Sequence, residues 1–320
     1  MPVRVIVTKD FDHMSAVAAG LVVNTIARVR RAGREAVLGL ATGNTPTGLY
    51  RLLAKAANAG EFDSARVRSF NLDEYIGLPG ENAQQRVLHP ESYAYFMIQE
   101  FFSLLRKKFS ETCVPYGALI EQEKLESELK RHPDDWTAEG RSAGRSIVIK
   151  ASARSQYLAW IRREIQQAYE RKIESAGGID LQVIGVGGRG HVAFHEAGIP
   201  FEGSRVLVVQ LDENTIGNAV ADGHFTIERD SPRFAVSMGA ELVYEARTVV
   251  LLASGERKRA PVARSLLEGV STDVPISYGQ RYGGKGGNLV CVVDAVAGAD
   301  LVASGPALAA KGIDLEDLRG

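Results

Sequence analysis

Cysteine is scarce in this chain of 320 residues, which contains two, Cys113 and Cys291. They are far apart and form no CxxC spacing, so the sequence predicts neither a disulfide framework nor a zinc site. No apolar run reaches the ~18 residues of a membrane-spanning helix. The N-terminus also lacks the apolar run and small-residue cleavage site of a secretory signal. We therefore expect a cytoplasmic protein without a membrane partner.

An excess of charge of one sign is also missing. The chain has 38 Lys and Arg against 39 Asp and Glu, a formal net charge of −1. This balance argues against nucleic-acid binding by bulk electrostatics. Hydrophobic residues at 45% and charged residues at 24% are typical of a globular protein and exclude a disordered or fibrous one. We expect one domain over residues 1–320.

Short apolar, β-branched runs alternate with helical patterns along the chain. Between Leu158 and Ala168, for example, apolar residues recur every three or four positions, the spacing of one helix face. The alternation predicts an α/β fold: a doubly wound, Rossmann-like, mostly parallel sheet with helices on both faces. The predicted strands are Arg4–Thr8, Ala36–Ala41, Val67–Asn71, Leu181–Val186, Val206–Leu211, Phe234–Met238, Thr248–Ala253 and Leu289–Val293.

Two segments fit the alternation less well. Residues 119–155 are polar and charged, with a helical pattern over Glu121–Arg131 and a loop-like stretch over Asp134–Gly144. We interpret 119–155 as an insertion at a sheet edge. Residues 298–320 follow the last predicted strand and are interpreted as a C-terminal tail.

The first chemical motif is a turn at residues 42–46, Thr-Gly-Asn-Thr-Pro, which follows a predicted strand. Asn44 and Pro46 are typical of a helix start. Free N–H groups there, with two threonine hydroxyls, suit a phosphate. The alternative is an ordinary strand-to-helix turn, since the motif is neither a Walker loop nor GxGxxG.

Two further segments offer groups for proton transfer. Asp73 and Glu74 follow a predicted strand, where a carboxylate can face a cleft, although this segment alone favours the alternative that Asp73 caps a turn. Four glycines between 185 and 190 precede His191, with Glu196 five residues on to hold the imidazole. A metal site is the rival interpretation there, but no HExxH or other ligand spacing occurs, and we predict no metal.

A basic cluster over Gly255–Arg259 follows another predicted strand. Cations at a strand end can neutralise a phosphate, and Lys258 is the candidate. The alternative is a solvated helix start.

In this order, the motifs resemble the glucosamine-6-phosphate deaminase (isomerase) family, whose wider group includes 6-phosphogluconolactonases. The resemblance runs from Ala36 to about Asp294. Asp-Glu-Tyr-x-Gly-Leu-Pro at 73–79, followed by His-Pro-Glu-Ser-Tyr at 89–93, is similar to the deaminase branch. The lactonase branch carries an Asp-Glu-Arg-type motif instead.

The resemblance implies a Rossmann-like sheet that binds a sugar 6-phosphate without a cofactor. It implies that Asp73 moves a proton between C1 and C2, and that His191, held by Glu196, assists ring opening. Lys258 would neutralise the phosphate. The turn that would hold the phosphate consists of Thr42, Gly43, Asn44 and Thr45.

The sequence departs from the family pattern at several positions. Arg189 stands where an aspartate is usual, His195 where an asparagine is usual, and Thr215 where a second phosphate cation is usual. If Arg189 faced the cleft, it would lower the pKa of His191; the alternative is that it points to solvent. Gly80–Leu88 adds residues to an expected active-site loop. The positions expected to tune specificity are Glu74, Arg189, His195 and Thr215.

The function that these expectations favour is that of a sugar-phosphate isomerase or deaminase, most simply one that converts glucosamine 6-phosphate to a ketose phosphate and ammonia. A 6-phosphogluconolactonase-type hydrolase and a non-catalytic sugar-phosphate-binding protein are the alternatives. The expected partner is a small sugar phosphate, and a homo-oligomer is left open.

Overall fold

The structure, a computed structural model, describes residues 3–141, 144–221 and 223–320. The strands found there are β1 (Arg4–Thr8), β2 (Ala36–Leu40), β3 (Val67–Asn71), β4 (Asp73–Ile76), β5 (Glu111–Cys113), β6 (Trp136–Glu139), β7 (Arg145–Ile149), β8 (Leu181–Ile184), β9 (Val206–Gln210), β10 (Phe234–Met238), β11 (Thr248–Ala253), β12 (Asn288–Asp294) and β13 (Asp314–Asp317). The α-helices are α1 (Phe11–Arg31), α2 (Thr47–Asn58), α3 (Ala83–Val87), α4 (Tyr93–Glu100), α5 (Gln122–Arg131), α6 (Gln156–Trp160), α7 (Gln167–Ser175), α8 (Glu213–Ala221), α9 (Ala240–Val243), α10 (Glu256–Leu267), α11 (Tyr278–Gly284), α12 (Ala299–Ala303) and α13 (Gly305–Ala310).

Eight parallel strands form the main sheet, in the order β13-β1-β12-β11-β8-β2-β3-β5. Every residue of β2 and of β11 is buried, as expected for strands covered on both faces. The α/β class and the mostly parallel sheet are therefore confirmed. None of the helices in the described residues is long and apolar enough to cross a membrane.

A second sheet of five antiparallel strands, in the order β4-β10-β9-β7-β6, was not predicted. The predicted strands Val206–Leu211 and Phe234–Met238 belong to it, so the predicted strands are divided between two sheets. Both strands are almost fully buried. A fully buried antiparallel strand gives the same continuous apolar pattern as a parallel one, so periodicity does not separate them.

The 119–155 segment extends this second sheet at its edge. Its helix, α5, begins one residue later than predicted, and β7 pairs with β9. The loop predicted for Asp134–Gly144 is partly wrong, because Trp136–Glu139 forms the edge strand β6. Three of its four residues are exposed, so it lacks the alternation by which a strand is recognised. Residues 142 and 143 lie outside the described residues.

The helical stripe that begins at Leu158 changes phase within its helix. A π-helix over Ile161–Gln166 joins α6 to α7. The wider turn moves Tyr169, rather than Ala168, to the buried face. Tyr169 packs edge-on against Phe70 of β3 and its hydroxyl donates to the Asn71 carbonyl at 2.7 Å, which fixes the end of β3 beside the second sheet.

The C-terminal segment 298–320 is structured rather than a tail. It contains α12, α13 and β13, and β13 pairs with β1 at the edge of the main sheet. The apolar residues Leu301, Leu308 and Ile313 are buried against the core. This segment therefore belongs to the single domain.

Candidate active site

A cleft of about 570 Å³ opens at the carboxyl ends of the main-sheet strands β2, β8 and β11. Ligands of open α/β sheets bind at this edge. The second sheet and α8 form the opposite wall. Residues that line the cleft include Phe11, Thr42, Gly43, Asn44, Thr45, Asp73, Tyr75, Tyr93, Gly187, Gly188, His191, Ala193, Phe194, Thr215, Asn218, His224, Ser254, Arg257 and Lys258.

The predicted phosphate turn lies in the cleft, with all four of its candidate residues in the wall. Gly43 has a φ of +90°, a conformation that L side chains rarely adopt, and a Cβ there would meet no atom within 4 Å. Helix α2 begins at Thr47 after Pro46, so the helix start lies slightly later than predicted. Both threonines of the turn line the cleft directly before the start of α2, where free N–H groups are expected.

A second turn, after β11, faces the same space. The Gly255 N–H and the Ser254 hydroxyl donate to Asp294 Oδ2 at 2.9 and 2.6 Å, which anchors the turn. Lys258 and Arg257, in the first turn of α10, line the cleft. Because β11 and β2 flank β8 in the sheet, the cationic turn and the threonine turn stand on either side of the β8 loop. Arg257 was not among the predicted site residues, although it lies in the basic cluster Gly255–Arg259.

Asp73 stands where the chain crosses from β3 in the main sheet to β4 in the second. Its side chain lines the cleft and is 6% exposed. Its Oδ1 is buried without a hydrogen-bond partner among the described residues. Burial, and to a lesser extent the Glu74 charge, raise the pKa of the Asp73 carboxyl well above its usual range. A buried oxygen without a donor, beside a cleft, is available to take a proton from a ligand.

Glu74 points away from the cleft, which contradicts its assignment as a specificity residue. Its carboxylate accepts hydrogen bonds from the Ser92 hydroxyl at 2.8 Å and from the backbone N–H groups of Tyr93 and Ala94 at 3.1 and 3.0 Å. These donors surround the N-terminus of α4. Burial raises the pKa of Glu74, and these hydrogen bonds partly oppose the shift. Glu74 therefore fixes α4 to β4.

His191 and Glu196 meet as predicted, with 3.5 Å between Nδ1 and Oε2. The imidazole lines the cleft, while Glu196 is 3% exposed behind it. Burial would raise the pKa of Glu196, but hydrogen bonds from His191, the Thr215 hydroxyl and the Asp212 N–H bring it below its usual value. Glu196 is thus a carboxylate that orients the His191 ring. Thr215, predicted as a specificity residue, lies in the cleft wall and bonds this carboxylate.

The ring of His191 rests on Gly187. A Cβ on Gly187 would lie 1.8 Å from His191 Nε2. The Gly187 N–H also donates to the His191 carbonyl at 3.1 Å. The first part of the glycine-rich loop therefore makes room for the imidazole, which the sequence pattern had not indicated.

His195 is fully buried outside the cleft, so it does not contact a ligand there. Its Nδ1 accepts from the Ala240 N–H at 3.1 Å, and its Nε2 lies 3.1 Å from the Ile199 carbonyl. Burial lowers the pKa of His195 to about 4. The ring is a neutral structural group that joins the segment 195–199 to the start of α9, and its assignment as a specificity residue was wrong.

Arg189 and the 80–88 segment also lie outside the cleft wall. Arg189 is about half exposed and pairs with Asp212 at 3.4 Å. This placement agrees better with the alternative in which Arg189 points to solvent. In the 80–88 segment, Arg86 is buried and donates to the Ala118 carbonyl at 2.9 Å. This segment packs against residues 116–119 instead of forming an active-site loop.

Sequence reasoning missed the aromatic wall of the cleft. Tyr75 packs against Tyr93, Phe194 and Phe225, with ring centroids 5.0 to 5.7 Å apart. Tyr75 follows Asp73 by two positions on β4, and residues two apart on a strand share a face. That alternation would have placed Tyr75, and not Glu74, beside Asp73.

No group of three or more His, Cys, Asp or Glu side chains arranged to hold a metal ion occurs in the described residues. Two turns, one with threonines and one with cations, line the cleft together with a buried carboxyl, a His–Glu pair and an aromatic wall. This set can bind a phosphorylated ligand and move protons on it.

Comparison with known proteins gives concordant results. No protein-family model matches the chain. Glucosamine-6-phosphate deaminase 2 of Bacillus subtilis is 34% identical over 282 residues, 87% of this chain and 91% of that protein. A Clostridium perfringens glucosamine-6-phosphate deaminase is 34% identical over 280 residues, covering 87% and 93% of the two chains.

Solved structures show the same fold. A monomeric glucosamine-6-phosphate deaminase superposes with a TM-score of 0.69 at 26% identity, covering 92% of this chain and 99% of that one. A 6-phosphogluconolactonase from Trypanosoma brucei superposes with a TM-score of 0.58 at 17% identity, covering 93% and 98%. The second likeness shows a shared fold alone.

Proposed function

The chain belongs to the glucosamine-6-phosphate deaminase family, and from this premise we propose that it converts glucosamine 6-phosphate and water to fructose 6-phosphate and ammonia. The observation that carries the proposal is the buried Oδ1 of Asp73, which has no hydrogen-bond partner in the described part of the chain and lies in the same cleft as the His191–Glu196 pair. The reaction needs a base beside C2, an acid–base group for ring opening and a phosphate site, and we assign these roles to Asp73, to His191 and to the two turns.

Ring opening is the first task. The C1 hydroxyl of the pyranose loses a proton while the ring oxygen gains one, which gives the open-chain aldehyde. His191 is the group in the cleft suited to carry this proton. Glu196 holds the imidazole at Nδ1, so Nε2 is the atom that exchanges the proton with the sugar.

Isomerisation follows at C1 and C2. Asp73 takes the proton from C2 while O1 gains a proton from the C2 ammonium group, which gives an enolamine, and Asp73 then returns its proton to C1. The resulting imine at C2 is hydrolysed by water, which releases ammonia and leaves the ketone. A base that is desolvated and has a raised pKa takes a carbon-bound proton more readily than an exposed aspartate does.

The phosphate end needs positive charge and N–H donors. The turn over residues 42–45 offers donors, and Lys258 offers a cation from the opposite turn. Thr215 stands where the family resemblance implied a second cation. Arg257 lines the same part of the cleft, and we assign it that role in this chain.

The test is to incubate the purified chain with glucosamine 6-phosphate and to measure ammonium and fructose 6-phosphate together. We expect the two products in equal amounts, and no turnover of unphosphorylated glucosamine. An Asp73→Asn variant controls for contaminating enzyme. Hydrolysis of 6-phosphogluconolactone without release of ammonium from glucosamine 6-phosphate would overturn the proposal.

A further inference from the structure

A second histidine–glutamate pair faces the same cleft. His224 Nδ1 lies 2.7 Å from Glu91 Oε2, and the two residues are 133 positions apart in the chain. His224 lines the cleft, whereas Glu91 stands behind it and outside the wall. The arrangement repeats that of His191 and Glu196: a carboxylate holds one ring nitrogen, and the ring faces the cleft.

The pair lies on the wall formed by the second sheet. Phe225, the next residue, packs edge-on against Tyr75 at 5.7 Å. Tyr93, two residues after Glu91, stacks on Phe194 at 5.9 Å. These aromatic residues form a hydrophobic cluster of their own, separate from the main core. The phosphate turns, by contrast, follow the main-sheet strands β2 and β11, so His224 belongs to the wall that carries Asp73 and Tyr75.

The hydrogen bond to Glu91 determines which ring nitrogen of His224 can bond a ligand in the cleft. A carboxylate accepts, so the Nδ1–H of His224 donates to it. The neutral ring then presents Nε2 as an acceptor. Among the described residues, His224 Nε2 has no hydrogen-bond partner. An acceptor beside the aromatic cluster selects for a ligand that carries an O–H or N–H donor.

We propose that His224, oriented by Glu91, is a specificity-determining residue that accepts a hydrogen bond from a hydroxyl or amino group on the sugar portion of the substrate. This inference rests on the proposed function for the identity of the substrate. In this arrangement the aromatic wall recognises the sugar, and the two turns bind the phosphate. The polar substituents on the carbons of an amino-sugar phosphate are the donors that such a site takes.

The position of His224 in the fold supports a ligand-contacting role. Helix α8, which precedes it, has no buried residue, although Thr215 and Asn218 line the cleft. The His224–Glu91 contact joins the chain after α8 to the chain before α4. The pair therefore holds a polar ring at the cleft, although the helix that precedes His224 buries none of its own residues.

The test compares three variants. His224→Phe keeps a ring and removes the acceptor, His224→Gln offers a replacement acceptor near the position of Nε2, and Glu91→Gln weakens the orientation of the ring. The matched control is His132→Phe. His132 also lies beside a glutamate, Glu128, at 3.5 Å, but directly after α5 and outside the cleft wall.

We expect His224→Phe to raise the KM for glucosamine 6-phosphate about tenfold, since a site built around a hydrogen bond penalises its loss. Glu91→Gln should give a smaller increase, and His224→Gln should retain most of the affinity. The inhibition constant of inorganic phosphate, which reports the phosphate turns, should stay unchanged in all three variants. The His132→Phe control should behave as the wild type does.

The inference is overturned if His224→Phe leaves the KM unchanged. It is also overturned if phosphate inhibition weakens by the same factor, because the residue would then act on the whole cleft. If the wild type does not turn over glucosamine 6-phosphate, the proposed function fails separately. Calorimetric binding of glucosamine 6-phosphate and inorganic phosphate then decides: selective loss of the sugar phosphate in His224→Phe supports the inference, and equal loss, no loss or no wild-type binding of the sugar phosphate overturns it.

Discussion

The Arg189 guanidinium lies 3.4 Å from the Asp212 carboxylate, and Arg189 Nε lies 2.7 Å from the Asn214 amide oxygen in the orientation that satisfies that amide. The Asp212 N–H in turn donates to Glu196 Oε1 at 3.3 Å. Arg189 therefore holds the start of α8 from outside the cleft. Its charge is directed to Asp212, not to His191.

An Arg189→Gln variant tests this arrangement. We expect kcat/KM to change less than about fivefold, because exposed ion pairs contribute about 0.2–1 kcal/mol. The pH dependence should stay as in the wild type. Arg189→Asp should be worse, since it places a carboxylate beside Asp212. A shifted pH optimum or a new substrate preference in Arg189→Gln would place the arginine charge in the cleft after all.

The loop beneath His191 provides a second test. Gly187→Ala should lower kcat by tenfold or more without unfolding the protein, because the new Cβ would lie 1.8 Å from His191 Nε2 and must displace the ring. Gly188→Ala is the matched control, since its nearest contact is the end of the Asn218 side chain at 3.2 Å. Kinetics and circular dichroism of both variants check the result. Equal activity of the two variants would contradict the placement of the imidazole.

Glu74 gives a prediction of stability. Glu74→Gln replaces an oxygen that accepts N–H and O–H groups by an NH₂ group that donates. We expect the free energy of unfolding to fall by about 1–3 kcal/mol, the cost of unsatisfied buried polar groups. The ratio of kcat/KM values for two hexose phosphates should not change. Urea unfolding and a two-substrate assay measure these effects, and a changed ratio would restore Glu74 as a specificity residue.

Each of the eight predicted strands was found with ends within two residues, because apolar β-branched runs bounded by glycine or charge mark a buried strand clearly. Membership of two different sheets was not predictable, since full burial removes the alternation that separates them. The edge strands β6 and β13 were missed because most of their residues are exposed.

Physical reasons also separate the site residues that were placed correctly from those that were not. Asp73, His191 and Lys258 follow strands that end at one edge of the main sheet, and a parallel sheet brings such positions together. His195 was assigned only because it departs from the family pattern, and that comparison does not show that its ring is buried against the Ala240 N–H and the Ile199 carbonyl. His224 meets Glu91 across 133 residues. No local sequence pattern indicates a contact between residues so far apart in the chain.

Asp73 gives the last prediction, which links activity to stability. Asp73→Asn should lower turnover of glucosamine 6-phosphate by about 10²–10⁴-fold, the usual contribution of a general base. Burial raises the pKa of Asp73 in the folded state, whereas the unfolded chain has a value near ~3.9. Folding therefore favours the protonated form.

The sign of the stability effect follows. The wild type retains the contribution of the neutral carboxyl below the unfolded pKa and loses it as the pH rises through the raised folded pKa. Asparagine does not titrate, so the stability of Asp73→Asn relative to the wild type should increase from pH 4 towards pH 8. Thermal unfolding of both proteins across this range measures the difference, with Asp314→Asn, an exposed aspartate on β13, as the control. A constant difference across the range would mean that Asp73 titrates as an ordinary aspartate. It would contradict the raised pKa on which the assignment of Asp73 as a buried base depends.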